Sequence, residues 1–139
     1  MNPFGTEITT DDIVDTLSFF DNWEERYKYI IDLGKQLPAM DASLQTEDRL
    51  IKGCQSKVWI ECHKEGDQLL FDVDSDAFIV RGLLAVVMAA YNGKTAEGVL
   101  AFDIENYFSE IDLIRHLSPT RGNGLKSMVQ RIQQFAQAS

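Results

Sequence analysis

The chain holds two cysteines, and their surroundings differ. Cys54 follows Gly53 and precedes Gln55 and Ser56, between the apolar stretches Leu50-Ile51 and Val58-Trp59-Ile60. A thiol carried on a loop is presented to other molecules, and the adjacent glycine permits a tight backbone turn. Once ionised, such a thiol is a nucleophile. The competing reading is a buried, inert cysteine, the usual state of a free Cys. The local pattern leaves both open. Cys62 differs, because Val58, Ile60 and Cys62 recur at period two and share one face of a strand. It reads as a small apolar core residue. A metal site built from Cys54, Cys62 and His63 is disfavoured, since adjacent strand residues point to opposite faces. No CxxC motif occurs.

Charged residues near the ends of elements form the second set of candidates. Asp72-Val73-Asp74-Ser75-Asp76 places acids where a strand gives way to a helix, and capping by Asp74, Ser75 or Asp76 is expected there. His116 and Arg121 flank Ser118-Pro119. Both suit ordinary surface positions; alternatively, Arg121 stabilises a thiolate or persulfide anion by charge and hydrogen bonding. No nucleophilic triad can be assembled. Gly122-Asn123-Gly124 lacks the rest of either nucleotide-binding fingerprint.

The elements that must position these residues follow from periodicity. Thr9-Thr10-Asp11-Asp12 reads as the N-cap region of a short helix reaching Phe20, and Asp21-Asn22 caps a second helix. The second carries Trp23, Tyr27, Ile30, Ile31 and Gly34 on one stripe and ends before Pro38. Residues 38–53 read as loop, with Leu50-Ile51 starting a short strand. Val58, Ile60 and Cys62 alternate, Glu65-Gly66-Asp67 is turn chemistry, and Leu69, Phe71 and Val73 alternate again, which predicts a β-hairpin with one buried face. Residues 77–91 are nearly all apolar and predict a helix buried on most sides, closed by Asn92-Gly93. A short helix capped by Thr95, another over 105–117, a loop over 118–124 and a last helix carrying Leu125, Met128, Val129, Ile132, Phe135 and Ala136 complete the reading. The fold class is α+β: a small antiparallel β-sheet with helices packed on one face.

The chain has 139 residues, enough for one domain spanning 1–139. Its composition, 45% apolar and 25% charged, is that of a globular protein rather than a disordered one. The longest apolar run, Leu83 to Tyr91, is 9 residues, and a membrane span needs roughly 20. The first residues lack the basic start and apolar stretch of a signal peptide, so the expected location is the cytoplasm, where both thiols stay reduced. The net charge of −9 disfavours nucleic acid and anionic membranes as partners. Residues 1–25 hold seven acids and no base, whereas Arg115, Arg121, Lys126 and Arg131 follow Asp112 with no further acid. The acidic end is either simple solvation or a docking surface for a partner with basic patches.

Several segments together resemble the SufE family of sulfur acceptors that activate cysteine desulfurases. They are Asn22-Trp23-Glu24-Glu25-Arg26-Tyr27, Leu33-Gly34-Lys35-Gln36-Leu37-Pro38, Gly53-Cys54-Gln55-Ser56-Lys57-Val58-Trp59, Asp74-Ser75-Asp76-Ala77, Ile79-Val80-Arg81-Gly82-Leu83 and His116-Leu117-Ser118-Pro119-Thr120-Arg121. The match runs from about residue 20 to 135, in order. Asn2-Pro3-Phe4-Gly5-Thr6 and Gly82-Leu83-Leu84-Ala85-Val86 are more similar to the CsdE branch, whereas Gly53-Cys54-Gln55-Ser56 and Asp74-Ser75-Asp76-Ala77 are more similar to SufE itself, which leaves the branch open with a lean to CsdE. The resemblance implies that Cys54 accepts sulfur from the persulfide of a pyridoxal-phosphate cysteine desulfurase of the SufS or CsdA type. It implies that Arg121, His116 and Asp76 occupy positions near the site, Asp76 shaping the resting pocket or the Cys54 loop. It implies no cofactor on this chain, pyridoxal phosphate belonging to the partner. It implies a downstream recipient such as an iron–sulfur scaffold or a tRNA-modifying enzyme. The implied fold is that of the IscU/NifU scaffolds, and two cysteines disfavour cluster assembly on this chain. The alternative is a non-covalent adaptor in which Cys54 is incidental.

Overall fold

A computed structural model describes residues 2–52 and 56–139. The chain runs through α1 (Thr10–Ser18), α2 (Trp23–Lys35), β1 (Val58–Glu65), β2 (Gln68–Ser75), α3 (Phe78–Tyr91), β3 (Lys94–Thr95), α4 (Ala96–Ala101), α5 (Ile104–Glu110) and α6 (Pro119–Gln137). The three strands form one antiparallel sheet in the order β1-β2-β3. This is the α+β arrangement that the alternating and helical periods predict, extended by the two-residue strand β3.

Local chemistry starts the helices where polar caps stand. Thr9 and Asp12 close a reciprocal capping box on α1, Asn22 accepts from the Glu25 N–H at 2.9 Å on α2, and Thr95 accepts from the Gly98 N–H at 3.0 Å on α4. The hairpin pairs Ile60 with Val73 and Cys62 with Phe71, so these residues share the face that meets the helices. Twelve of the fourteen residues of α3 are buried, because sheet and helices enclose it on all sides. Buried Asn92 closes that helix region. Its Oδ1 accepts from the Phe71 N–H at 2.9 Å and its Nδ2 donates to the Phe4 carbonyl at 3.0 Å.

Helices α2 and α3 touch backbone to backbone through a glycine pair. A Cβ on Gly82 would lie 2.3 Å from the Ile30 carbonyl oxygen, and one on Gly34 would lie 2.6 Å from the Gly82 nitrogen. Neither neighbour is a movable side-chain end, so the close crossing requires both glycines.

Four local expectations are corrected. Residues 118–124 are not loop: α6 begins at Pro119, with Ser118 as N-cap accepting from the Arg121 N–H at 3.3 Å and Pro in the first turn. The helix expected over 105–117 is two pieces, α5 and a 3₁₀ turn over Ile114–His116, with Asp112 between them in the left-handed region at φ 53°. Residues 38–53 contain 3₁₀ turns at Ala42–Leu44 and Glu47–Arg49, and Leu50 forms a single bridge to Trp59. No side chain caps α3, because its N-cap residue is Ala77, which has no acceptor, and the acids before it bond elsewhere. Among the described residues no helix is long and apolar enough to cross a membrane.

Replacing Gly82 with Ala forces α2 and α3 apart. The expected loss is about 2–3 kcal/mol of unfolding free energy, read as a lower urea midpoint at unchanged m-value. An unshifted midpoint would show that the helix crossing tolerates a methyl group.

Candidate functional site

Cys54 lies outside the described residues, as do Gly53 and Gln55. The chain on either side of them is firmly held. On the N-terminal side, the buried Ile51 donates its N–H to the Val58 carbonyl at 2.8 Å. On the C-terminal side, three bonds fix Lys57. Its N–H donates to Asp76 Oδ1 at 3.0 Å, and its carbonyl accepts from the Asp76 N–H at 3.3 Å and from Ser75 Oγ at 2.6 Å. Asp76 and Ser75 therefore turn toward the backbone that leads out of the Cys54 segment instead of capping α3.

A buried ion pair stands behind this clamp. Asp74 Oδ1 meets Arg81 Nη1 and also accepts from the Ser75 N–H at 2.8 Å, while Oδ2 accepts from the Met40 N–H at 3.0 Å. Arg81 directs its remaining donors to the end of α2: Nη2 reaches the Leu37 carbonyl at 2.7 Å and Nε reaches that of Gly34 at 3.3 Å. Orphan carbonyls at a helix C-terminus are a favourable place for a guanidinium. The sequence assigns Arg81 no role and Asp74 only that of a candidate helix cap, whereas Asp74 pairs with Arg81 instead. The available signal was a lone arginine within an otherwise apolar helix, which demands a buried anion.

Arg121 sits in the first turn of α6, half-buried, and its side chain lines a small cavity of about 20 Å³. Ser56, Val80, Leu83 and Met128 share that lining. The space holds about one water-sized group. Arg121 and Asp76 thus border residues 56 and 57 respectively, just past Cys54 in the chain. His116 is placed differently. Its ring stacks on Trp23 with centroids 4.0 Å apart and planes at 22°, and its Nδ1 lies 3.1 Å from the Asp112 carbonyl. It does not line the cavity of Arg121.

The other thiol is chemically quiet. Cys62 packs against the core opposite Phe71, and burial, helped by the nearby Glu61 charge, pushes its pKa up to about 11. His63, the next residue, points away and lies 3.9 Å from Asp72. No three His, Cys, Asp or Glu side chains among the described residues gather into a metal-binding group.

The profile of the SufE family, described as an Fe-S metabolism associated domain, matches residues 11–136. The chain belongs to the SufE family. It is 46% identical over 130 residues to an uncharacterized SufE-like protein of Rhizobium etli, covering 91% of this chain and 88% of that one. It is 45% identical over 131 residues to an uncharacterized SufE-like protein of Rhizobium meliloti, covering 91% and 94%. The solution structure of a hypothetical protein from Thermus thermophilus superposes with a TM-score of 0.75 at 16% identity, over 93% of each chain, which shows the shared fold. SufE membership supports a role in sulfur transfer with cysteine desulfurases, as carrier and activator rather than as a self-contained enzyme.

Two outcomes follow. Arg81→Met leaves Asp74 buried without its cation and costs about 3–5 kcal/mol, measured by urea unfolding. The double change Arg81→Met, Asp74→Leu recovers much of that loss; no recovery would mean that the bonds to Leu37 and Gly34 matter more than the ion pair. Cys62 follows a linkage of its own. With a pKa of about 11, only about one Cys62 in a thousand is thiolate at pH 8. Its alkylation by iodoacetamide should be slow there and rise about tenfold per pH unit up to pH 11. A rate plateau near pH 9 would contradict the burial.

Proposed function

We propose that Cys54 is the sulfur acceptor of this SufE-family chain, taking sulfur from the active-site persulfide of a pyridoxal-phosphate cysteine desulfurase. The Cys54 thiolate attacks the terminal sulfur of the partner's persulfide. One S–S bond forms at Cys54 as the partner's S–S bond breaks, and the partner's cysteine leaves as a thiolate. No net oxidation or reduction occurs, so the step requires no electron carrier, and the only cofactor is the desulfurase's own pyridoxal phosphate.

The observation that carries this reading is the Gly53-Cys54-Gln55-Ser56-Lys57-Val58-Trp59 motif set between two held ends in a SufE-family fold. The cavity beside Ser56 supports it. Its lining is largely apolar, with Val80, Leu83 and Met128, and includes one basic residue, Arg121. An apolar recess shelters a sulfane sulfur from water-borne reductants, and the cation favours the thiolate or persulfide anion. Asp76 contributes through position, since its carboxylate takes the Lys57 N–H and fixes where the segment rejoins β1.

In this reading the protein works in the cytoplasm and passes its sulfur to a second acceptor, an iron–sulfur scaffold or a tRNA-modifying enzyme. The Asn2-Pro3-Phe4-Gly5-Thr6 and Gly82-Leu83-Leu84-Ala85-Val86 segments favour the CsdE branch.

Incubation with a cysteine desulfurase and free cysteine, followed by peptide mass spectrometry, should show one added sulfur on Cys54 and none on Cys62. Stimulation of the desulfurase without sulfur on either residue, retained in Cys54→Ser, would make the protein a non-covalent adaptor instead. Arg121→Gln tests the anion site. If it raises the thiol pKa by about one unit, the thiolate fraction near pH 7 falls about tenfold and nucleophilicity recovers about threefold, so sulfur uptake slows about threefold. The midpoint of the Cys54 alkylation profile moves up by the same unit; an unmoved midpoint would remove Arg121 from that role.

A further inference from the structure

Neither Trp23 nor His116 lines the cavity of Arg121. Their stack is rigidly built. The Arg26 guanidinium lies 5.6 Å from the Trp23 ring centroid, and its Nε and Nη2 both donate to the Phe20 carbonyl, at 3.3 and 3.2 Å. His116 is tied to the Asp112 carbonyl on the other side. Large apolar side chains remain uncovered around this fixed point. Phe19, at the corner between α1 and α2, is 81% exposed. Tyr27, one turn along α2 from Trp23, and Ile114, two residues before His116, are also exposed. Ile114 is in addition part of the wall of a cavity of about 650 Å³ floored by Ile104, Phe108, Leu113 and Val129. Aromatic side chains and arginine at the centre of an apolar patch are the composition of a protein interface.

The rim gives the partner's charge. Asp15, Asp21, Glu24 and Glu25 surround the α1–α2 corner and are exposed. Residues 1–25 carry seven acids and no base. Of the nearby cations, Arg26 is engaged by Phe20 and Trp23, Arg115 pairs with Asp112 at 3.1 Å, and Lys28 on α2 is exposed, so the acids outnumber the cations around the corner. His116 also ends the turn that leads through Ser118 into Arg121, which lines the small cavity beside Ser56.

We propose that this patch, centred on Trp23 and His116, is a docking surface for a protein that meets it with apolar side chains inside a basic rim. The partner assigned to it is the cysteine desulfurase, an assignment that rests on the sulfur-transfer reading above. His116 then acts as a docking residue rather than as an electrostatic partner of the thiolate.

The test measures calorimetric binding of the full chain to a cysteine desulfurase at low and high salt, for wild type, Phe19→Glu, Ile114→Glu and the pair Asp21→Lys, Glu24→Lys. All four changed positions are exposed, and circular dichroism checks each fold. Each apolar variant should raise Kd about tenfold, and Phe19→Leu should restore it. The charge-reversed pair should bind more weakly at low salt and lose the salt dependence seen in wild type. At saturating desulfurase the variants should still load Cys54 with sulfur to the wild-type extent, since the thiol site is untouched. Unchanged Kd in both apolar variants would overturn the proposal. So would wild-type self-association that these variants abolish, which would give the patch to a second copy. Wild-type protein that binds with these effects yet takes no sulfur on Cys54 would refute the transfer reading and leave the docking surface standing.

Discussion

A half-buried guanidinium on an otherwise apolar helix is the constraint around which this protein is arranged. Arg81 lies on α3, whose other residues are almost all apolar and enclosed. A cation there is tolerable only where an anion and several acceptors are brought to it. Asp74 at the end of β2 supplies the anion, and the last carbonyls of α2 supply the acceptors. Satisfying one side chain therefore fixes three elements at once: the strand, the end of α2 and the start of α3. The glycine pair at residues 34 and 82 lets the two helices come close enough for the bonds to be made.

The consequence reaches the Cys54 segment through consecutive residues. With Asp74 held by Arg81 and Met40, Ser75 and Asp76 leave β2 in a fixed direction, and both bond the Lys57 backbone. Ile51 is held against Val58 on the other side. Three acidic or hydroxyl residues in a row thus have three different duties: pairing a cation, holding a carbonyl and holding an N–H. None of them caps the helix that follows. That helix begins without a side-chain cap, a tolerable loss of about 1 kcal/mol for a helix stabilised by burial of nearly its whole surface.

The parts of this design legible in the sequence were those with local causes. The hairpin follows from alternation in Val58-Ile60-Cys62 and Leu69-Phe71-Val73, and the starts of α1, α2 and α4 follow from Thr9, Asn22 and Thr95. The start of α6 was hidden by Gly122 and Gly124, which read as loop residues. Both are buried in the helix, where Ser118 and Pro119 had already set the first turn. The duties of Arg81, Asp74 and Asp76 were not legible, because each partner is distant in sequence: Leu37 lies 44 residues from Arg81, and Lys57 lies 19 residues from Asp76. The same holds for His116, whose neighbour in the motif is Arg121 and whose neighbour in space is Trp23. Nearness along a motif says that residues share a region, and only packing says which of them touch.

The two cysteines show what such packing does to identical groups. Cys62 is fixed on a strand opposite Phe71, and desolvation holds it in the unreactive thiol form. The residues that flank the Cys54 segment, Ile51 and Lys57, are held by backbone bonds. A thiol whose pKa is raised by two units has lost about a hundredfold in thiolate at neutral pH, which outweighs the accompanying gain of roughly tenfold in intrinsic nucleophilicity. The core that stabilises the protein therefore also makes Cys62 a weak nucleophile.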